Sequence, residues 1–214
     1  MPSAGTALFI DGKCLPCYHV EKEVSAMSIL ITGFAPFDGA EVNPSWEAVR
    51  LVPDQLQGHA VHKLLLPVVY GEAARLVTQE IRRTRPTLVI CCGLAGGRTA
   101  LTPELVAVNY RFARIADNAG QMYSGEKINP DGPDAFMTRL PVHAMIAAMQ
   151  SAGLPAALSL SAGAYVCNDV YYELLSSEAD LGHRGLFLHV PGMEVMSAED
   201  AARGIALCAE TALA

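Results

Sequence analysis

A cysteine, a histidine and a glutamate stand where their neighbours set up nucleophilic chemistry. Cys167 lies in the run Ser161-Ala162-Gly163-Ala164-Tyr165-Val166-Cys167-Asn168, and His189 lies in Leu188-His189-Val190-Pro191. The stretch Ala156 to Ser161 is short, apolar and bounded by Pro155 and Gly163, which predicts a strand. After the cysteine, Val170 with Leu174 and Tyr171 with Leu175 fall at helical spacing, which predicts a helix from Asn168 to Glu178. Cys167 then sits where a strand turns, through Gly163, into the first turn of a helix. Unpaired backbone N–H groups and the positive end of the helix dipole favour a thiolate there, so a lowered thiol pKa is expected. With a histidine on the next strand, this is the sequence form of a thiolate–imidazole nucleophile.

The competing reading is inert core filler, because cysteine is among the most buried residue types. Cys91 and Cys92 continue the apolar run Thr87-Leu88-Val89-Ile90, and Cys208 lies on an alanine-rich final helix, so these fit that description. Cys167 alone is open to both readings. Gly93-Leu94-Ala95-Gly96-Gly97-Arg98, followed by Thr102-Pro103-Glu104, adds a loop at the carboxyl end of a strand, where open α/β sheets place their sites. A phosphate cradle there needs a helix directly behind it. Val106, Val108, Tyr110 and Phe112 instead alternate with a strand period, and the spacing misses both the dinucleotide fingerprint and the P-loop. Glu104 is left as a solvated surface residue or as the carboxylate that orients the histidine, the third member of a triad.

Five motifs occur in order: Ile29-Leu-Ile-Thr-Gly-Phe-Ala-Pro-Phe37, Val42-Asn-Pro-Ser-Trp46, Gly-Gly-Arg98 with Thr-Pro-Glu104, Ala113-Arg-Ile-Ala-Asp-Asn118, and Ser161 to Asn168. Together they resemble the pyrrolidone-carboxyl peptidase family (pyroglutamyl peptidase I), cytosolic cysteine peptidases, from Met27 to about Ala201. The resemblance implies a triad of Glu104, Cys167 and His189, with Asp117 in support and Arg114 near the developing oxyanion. It places Phe34, Phe37, Ile115 and Val166 around the lactam ring of the substrate and Asn43 as a polar group near it. It implies pyroglutamyl peptides as substrates, hydrolysis through a thioester acyl-enzyme, no cofactor or metal, and a homo-oligomer, often a tetramer. Departures from the common pattern are Leu94 and Leu160 in place of glutamines, Asp38 in place of a glycine, and Arg111-Phe112 in place of a polar pair. Two other classes stay open: a lactam-binding protein that has lost turnover, and a phosphate-using transferase of related architecture.

These residues need a frame to hold them. Strand-like runs at Ser28 to Phe34, Val61 to Val68, Thr87 to Cys92 and Gly185 to Val190 alternate with helix-like runs at Tyr70 to Arg83, Pro141 to Ala152 and Ala198 to Ala212. That order predicts an α/β fold, a three-layer α/β/α sandwich around a mixed, mostly parallel sheet. The 214 residues suit one domain, and 51% hydrophobic against 17% charged residues is a globular balance. A net charge of −7 with no basic run excludes a nucleic-acid partner, and no apolar stretch reaches the ~20 residues of a membrane span. Residues 1–26 read as an extension and 27–214 as a single peptidase domain. Cys14, Cys17 and His19 in that extension offer three zinc ligands, one short of a closed structural site. The extension lacks the basic start and long apolar core of a secretory signal, so with its unpaired thiols the protein is expected in a reducing cytoplasm.

Overall fold

The computed structural model describes residues 28–214 and, upstream of them, only a short antiparallel backbone pairing of Phe9–Ile10 with Lys13–Cys14. Cys17, His19 and the side chain of Cys14, and so the expected ligand set, lie outside the described residues, as does the rest of the expected extension 1–26 beyond that pairing.

The buried runs of Ile, Leu and Val form the middle of a six-stranded sheet. In chain order its strands are β1 (Ser28–Phe34), β2 (Gln55–Leu56), β3 (His59–Leu66), β4 (Leu88–Leu94), β5 (Thr102–Pro103) and, near the end of the chain, β10 (Arg184–Val190). They lie side by side as β2-β3-β1-β4-β10-β5. The inner four run parallel, and the short edge strands β2 and β5 are antiparallel to their neighbours. The sheet is mixed and mostly parallel, as expected.

Side chains alternate across the strands, so each parallel strand feeds two cores. Ile29, Ile31, Ile90, Cys92, Leu186 and Leu188 face one core, with α1 (Pro44–Leu51), α3 (Val142–Ser151) and α6 (Ala198–Leu213). Leu30, Val89, Cys91 and Phe187 face the other, with α2 (Glu72–Thr84) and α4 (Val166–Ser176). A short helix, α5 (Glu178–Leu181), leads from α4 to β10. Cys91, Cys92 and Cys208 are buried thiols in these cores, in agreement with the filler reading.

Two expected strands are corrected. The run Ala156 to Ser161 is an irregular extended segment, bridged only at Leu101 with Ala156 and at Glu104 with Ser159. It lies along the outside of β5, so its alternate residues Leu158 and Leu160 are 39% and 63% exposed and bury no face. The alternation from Val106 to Phe112 breaks at Asn109, whose buried amide bonds Asn129 and Gly132. Two ribbons result outside the main sheet: β6 (Val106–Val108) with β9 (Ala135–Met137), and β7 (Arg111–Phe112) with β8 (Ser124–Glu126).

The junction of β1 with α1 is set by two polar side chains and one missing one. Asn43 caps α1 by accepting from the Ser45 N–H (3.1 Å) and hydroxyl (2.9 Å), and the Phe34 N–H donates to Ser45 Oγ at 3.0 Å. A Cβ on Gly33 would sit 2.8 Å from Trp46 Cα and 2.9 Å from the Ser45 carbonyl oxygen, both backbone atoms of α1. Gly33→Ala should therefore lower stability by about 1–3 kcal/mol, the usual range for overpacking. Chemical denaturation would measure it, and an unchanged midpoint at unchanged slope would contradict this packing.

Candidate active site

The helix that carries Cys167 begins two residues earlier than its periodicity suggests, at Val166, so the cysteine lies in the first turn of α4. Its close approach to the sheet depends on Gly93. A Cβ there would meet Cys167 Sγ at 2.9 Å and Phe187 Cζ at 2.9 Å. Gly93 is also the residue of β4 in register with His189 on β10. The absent side chain thus leaves room for the thiol beside the strand position of the histidine. Further along α4, the buried Tyr171 hydroxyl donates to the Glu104 carbonyl at 2.7 Å. Asn168 exchanges bonds with Val108 (2.9 and 2.8 Å), so the helix that carries Cys167 also fixes the chain that follows Glu104.

His189 Nδ1 lies 2.7 Å from Glu104 Oε1. The glutamate is completely buried, so the surface-residue reading of it does not stand. Its charge is met by Arg98, whose Nη1 donates to the same oxygen at 2.6 Å. Glu104 Oε1 fixes Nδ1 as the protonated ring nitrogen and leaves Nε2 free to accept a proton. Cys167 and His189 line one groove of about 330 Å³ with Leu94, Arg98, Ser161 and Tyr165.

The ionisation states differ from the expected thiolate. Burial pushes the Cys167 thiol up to about 12, and the charge of Glu104 adds to that; the backbone N–H at the helix start and Arg98 act the other way without prevailing. Burial likewise lowers His189 below its ordinary 6.5 against the pull of Glu104. Burial alone would raise Glu104, but its hydrogen bond and charge interaction with His189, with Ser159 and Arg98, hold it below its ordinary value. Both shifts favour a neutral thiol and a neutral imidazole. The dipole argument named a real contribution, but desolvation is the larger one.

A smaller cavity of about 40 Å³ opens beside the thiol, lined by Phe34, Phe37, Asn43, Val68, Leu94, Tyr165, Val166 and Cys167. That is room for about three waters, the scale of a compact ring. Four of the five expected ring-pocket residues are therefore brought together. The fifth, Ile115, is 40% exposed and lines a neighbouring groove of about 270 Å³ with Phe37, Phe112, Arg114 and Tyr165. Arg114 lines that groove and not the one holding Cys167 and His189. Asn43 spends its Oδ1 on Ser45 and one N–H on Ala35, leaving one N–H at the cavity. Asp117 is buried, accepting from Tyr70, Ala119 and Gln121 at 2.8–3.0 Å, and so supports the loop carrying Arg114 and Ile115. Leu94 faces both cavities, whereas Leu160 lines neither.

The sequence marks Gly93, Arg98 and Tyr165 only as members of motifs and Tyr171 only through its helical spacing. Tyr165 lines all three cavities, and its hydroxyl donates to the Ala116 carbonyl at 3.1 Å. No spacing rule marks it. Gly93→Ala should reduce kcat/KM by about a hundredfold, the penalty for a misplacement near 1 Å, with circular dichroism unchanged. Turnover at the wild-type level in that variant would contradict the close approach of Cys167 to β4.

The family model described as Pyroglutamyl peptidase matches residues 27–214. The Pyrrolidone-carboxylate peptidase of Bacillus subtilis (strain 168) is 42% identical over 186 residues, covering 84% of this chain and 85% of the relative. That of Streptomyces coelicolor is 49% identical over 168 residues, covering 76% of this chain and 77% of the relative. The crystal structure of pyroglutamyl peptidase I from Bacillus amyloliquefaciens superposes with a TM-score of 0.82 at 35% identity, covering 87% of this chain and 94% of the other. A mutant pyrrolidone carboxyl peptidase from the hyperthermophile Pyrococcus furiosus gives 0.84 at 33% identity, covering 87% and 98%. A match over the whole described domain, on the same fold, decides the matter: the chain belongs to the pyroglutamyl peptidase I family, the cysteine peptidases that remove an N-terminal pyroglutamyl residue from peptides.

Proposed function

We propose that Cys167 is the nucleophile, His189 the general base and acid, and Glu104 the carboxylate that orients the imidazole. The observation that carries this reading is the 2.7 Å bond from His189 to a fully buried Glu104, in a groove that Cys167 also lines. Cys167 Sγ attacks the carbonyl joining pyroglutamate to the peptide while His189 Nε2 takes the thiol proton. Because burial favours the neutral form of both groups, proton transfer accompanies attack. The oxyanion falls to the Cys167 backbone N–H at the start of α4. Nε2 then returns the proton to the leaving amine, and water hydrolyses the thioester.

The lactam ring occupies the cavity of Phe34, Phe37, Val68, Leu94 and Val166, with the remaining Asn43 N–H available to a ring oxygen. The rest of the peptide leaves along the groove of Arg114 and Ile115, over a loop that Asp117 supports. An N-terminal proline is a charged amine without the ring carbonyl, and burying that charge unpaired in this cavity is strongly unfavourable. Residues 27–214 serve as one peptidase domain, and the span of the family match supports this. A homo-oligomer in a reducing cytoplasm belongs to the same reading. Exposed apolar side chains such as Met122, Met137 and Leu160 support the oligomer, and the need for a reduced nucleophile supports the compartment. Among the described residues, no helix is long and apolar enough to cross a membrane.

Cys167→Ser should keep the fold and lose nearly all turnover of a pyroglutamyl amide, whereas Cys208→Ser should keep its kinetics. A dead Cys208→Ser with an active Cys167→Ser would reverse the assignment. Pyroglutamyl amides should exceed prolyl amides in kcat/KM by a factor on the order of 10⁴. Comparable values would remove the ring cavity from the account. The pH profile follows from the histidine, which accepts a proton only while neutral. Its pKa is depressed by burial, so kcat/KM should fall only as pH drops through a value below 6.5, and an acid limb above that value would contradict the neutral pair.

A further inference from the structure

Arg98 converges on the centre of this site from a loop that nothing so far assigns to the reaction. Its Nη1 lies 2.5 Å from Thr102 Oγ1 and 2.6 Å from Glu104 Oε1, and its Nη2 lies 3.1 Å from the Ser161 carbonyl. One guanidinium thus joins the glycine-rich loop, the edge strand β5 and the segment ahead of Cys167. The loop is itself tied to the histidine strand, because the Ala95 N–H donates to the Val190 carbonyl at 2.9 Å. Most telling is the shared acceptor. His189 Nδ1 and Arg98 Nη1 meet the same oxygen, Oε1, while Oε2 is buried and makes no hydrogen bond within 3.5 Å to the described residues.

Building on the proposed triad, we propose that Arg98 is a positioning residue for the reaction: its guanidinium holds Glu104 in the bond to His189 and keeps the imidazolium acidic enough to protonate the leaving amine. A buried carboxylate facing only a neutral imidazole lacks a compensating charge, and Arg98 supplies one permanently. When the Cys167 proton moves to Nε2, two cations share one carboxylate oxygen. Their repulsion disfavours the imidazolium, so the proton passes on more readily to the leaving nitrogen as the C–N bond breaks. Among the described residues, the titratable and charged groups facing His189 are Glu104 after β5, Arg98 on the loop, and the Cys167 thiol with the nearby Tyr165 phenol at the start of α4. Only Arg98 among them is a cation. The depression of His189 by Arg98 has the same sign.

The test is the pH profile of kcat/KM for a pyroglutamyl amide in wild type, Arg98→Met and Arg98→Lys. Arg98→Met should move the acid limb upward by about one pH unit, a tenfold change in proton affinity, and lower kcat more than it raises KM. Arg98→Lys keeps the charge but cannot reach all three partners, so its limb should stay near wild type on a lower plateau. An unmoved limb in Arg98→Met, or a lysine limb displaced as far as the methionine one, would overturn the proposal. If Arg98→Met does not fold, Arg98→Gln reads the same limb. His189→Ala runs alongside: full activity there would overturn the triad itself, whereas an inactive His189→Ala with an unmoved Arg98→Met limb would overturn only the role of Arg98.

Discussion

A carboxylate with no exposed surface must be compensated by groups that cannot move away, and Glu104 is such a carboxylate. Arg98 and His189 share its Oε1, and the Tyr171 hydroxyl holds its backbone carbonyl. Those partners come from the glycine-rich loop, β10 and α4, so the three elements are locked to one another through one residue. Tyr171 is the link that matters most for chemistry, because it lies one turn beyond Cys167 on the same helix. Glu104, His189 and Cys167 are thereby fixed in one frame.

The frame itself was largely legible. Strands buried on both faces read as continuous apolar runs, and Ser28–Phe34 and Leu88–Leu94 have this character along nearly their full length. Helices with one buried face showed as 3.6-residue spacing, as in Glu72–Thr84. What failed was the edge. Ala156 to Ser161 has the composition of a strand, yet it pairs with β5 on one side only and leaves Leu158 and Leu160 outward. Composition does not distinguish a central position from a rim. The break at Asn109 was hidden for a similar reason, because the partners of its amide, Asn129 and Gly132, lie some twenty residues away.

The site was legible in its residue types and less so in its electrostatics. Cysteine, histidine and glutamate could be named from their positions, and one small cavity beside Cys167 gathers Phe34, Phe37, Asn43 and Val166. The role of Arg98 could not be read, because its significance is a contact six positions along, across a turn that no periodicity describes. The state of the thiol could not be read either. A helix start favours a thiolate, but the balance against burial depends on how closely α4 approaches the sheet, which Gly93 sets through an absent atom. The result is a thiol whose neutral form is favoured at Cys167. A neutral thiol is less exposed to adventitious oxidation, which attacks thiolates preferentially.

The central claim is that Cys167 carries the acyl group. The most direct measurement is mass spectrometry of enzyme rapidly quenched in acid during turnover of an activated pyroglutamyl ester, followed by peptide mapping. The account predicts a pyroglutamyl adduct confined to the peptide containing Cys167, absent in Cys167→Ser. An adduct on another residue, or turnover without any adduct while the ester is in excess, would contradict it.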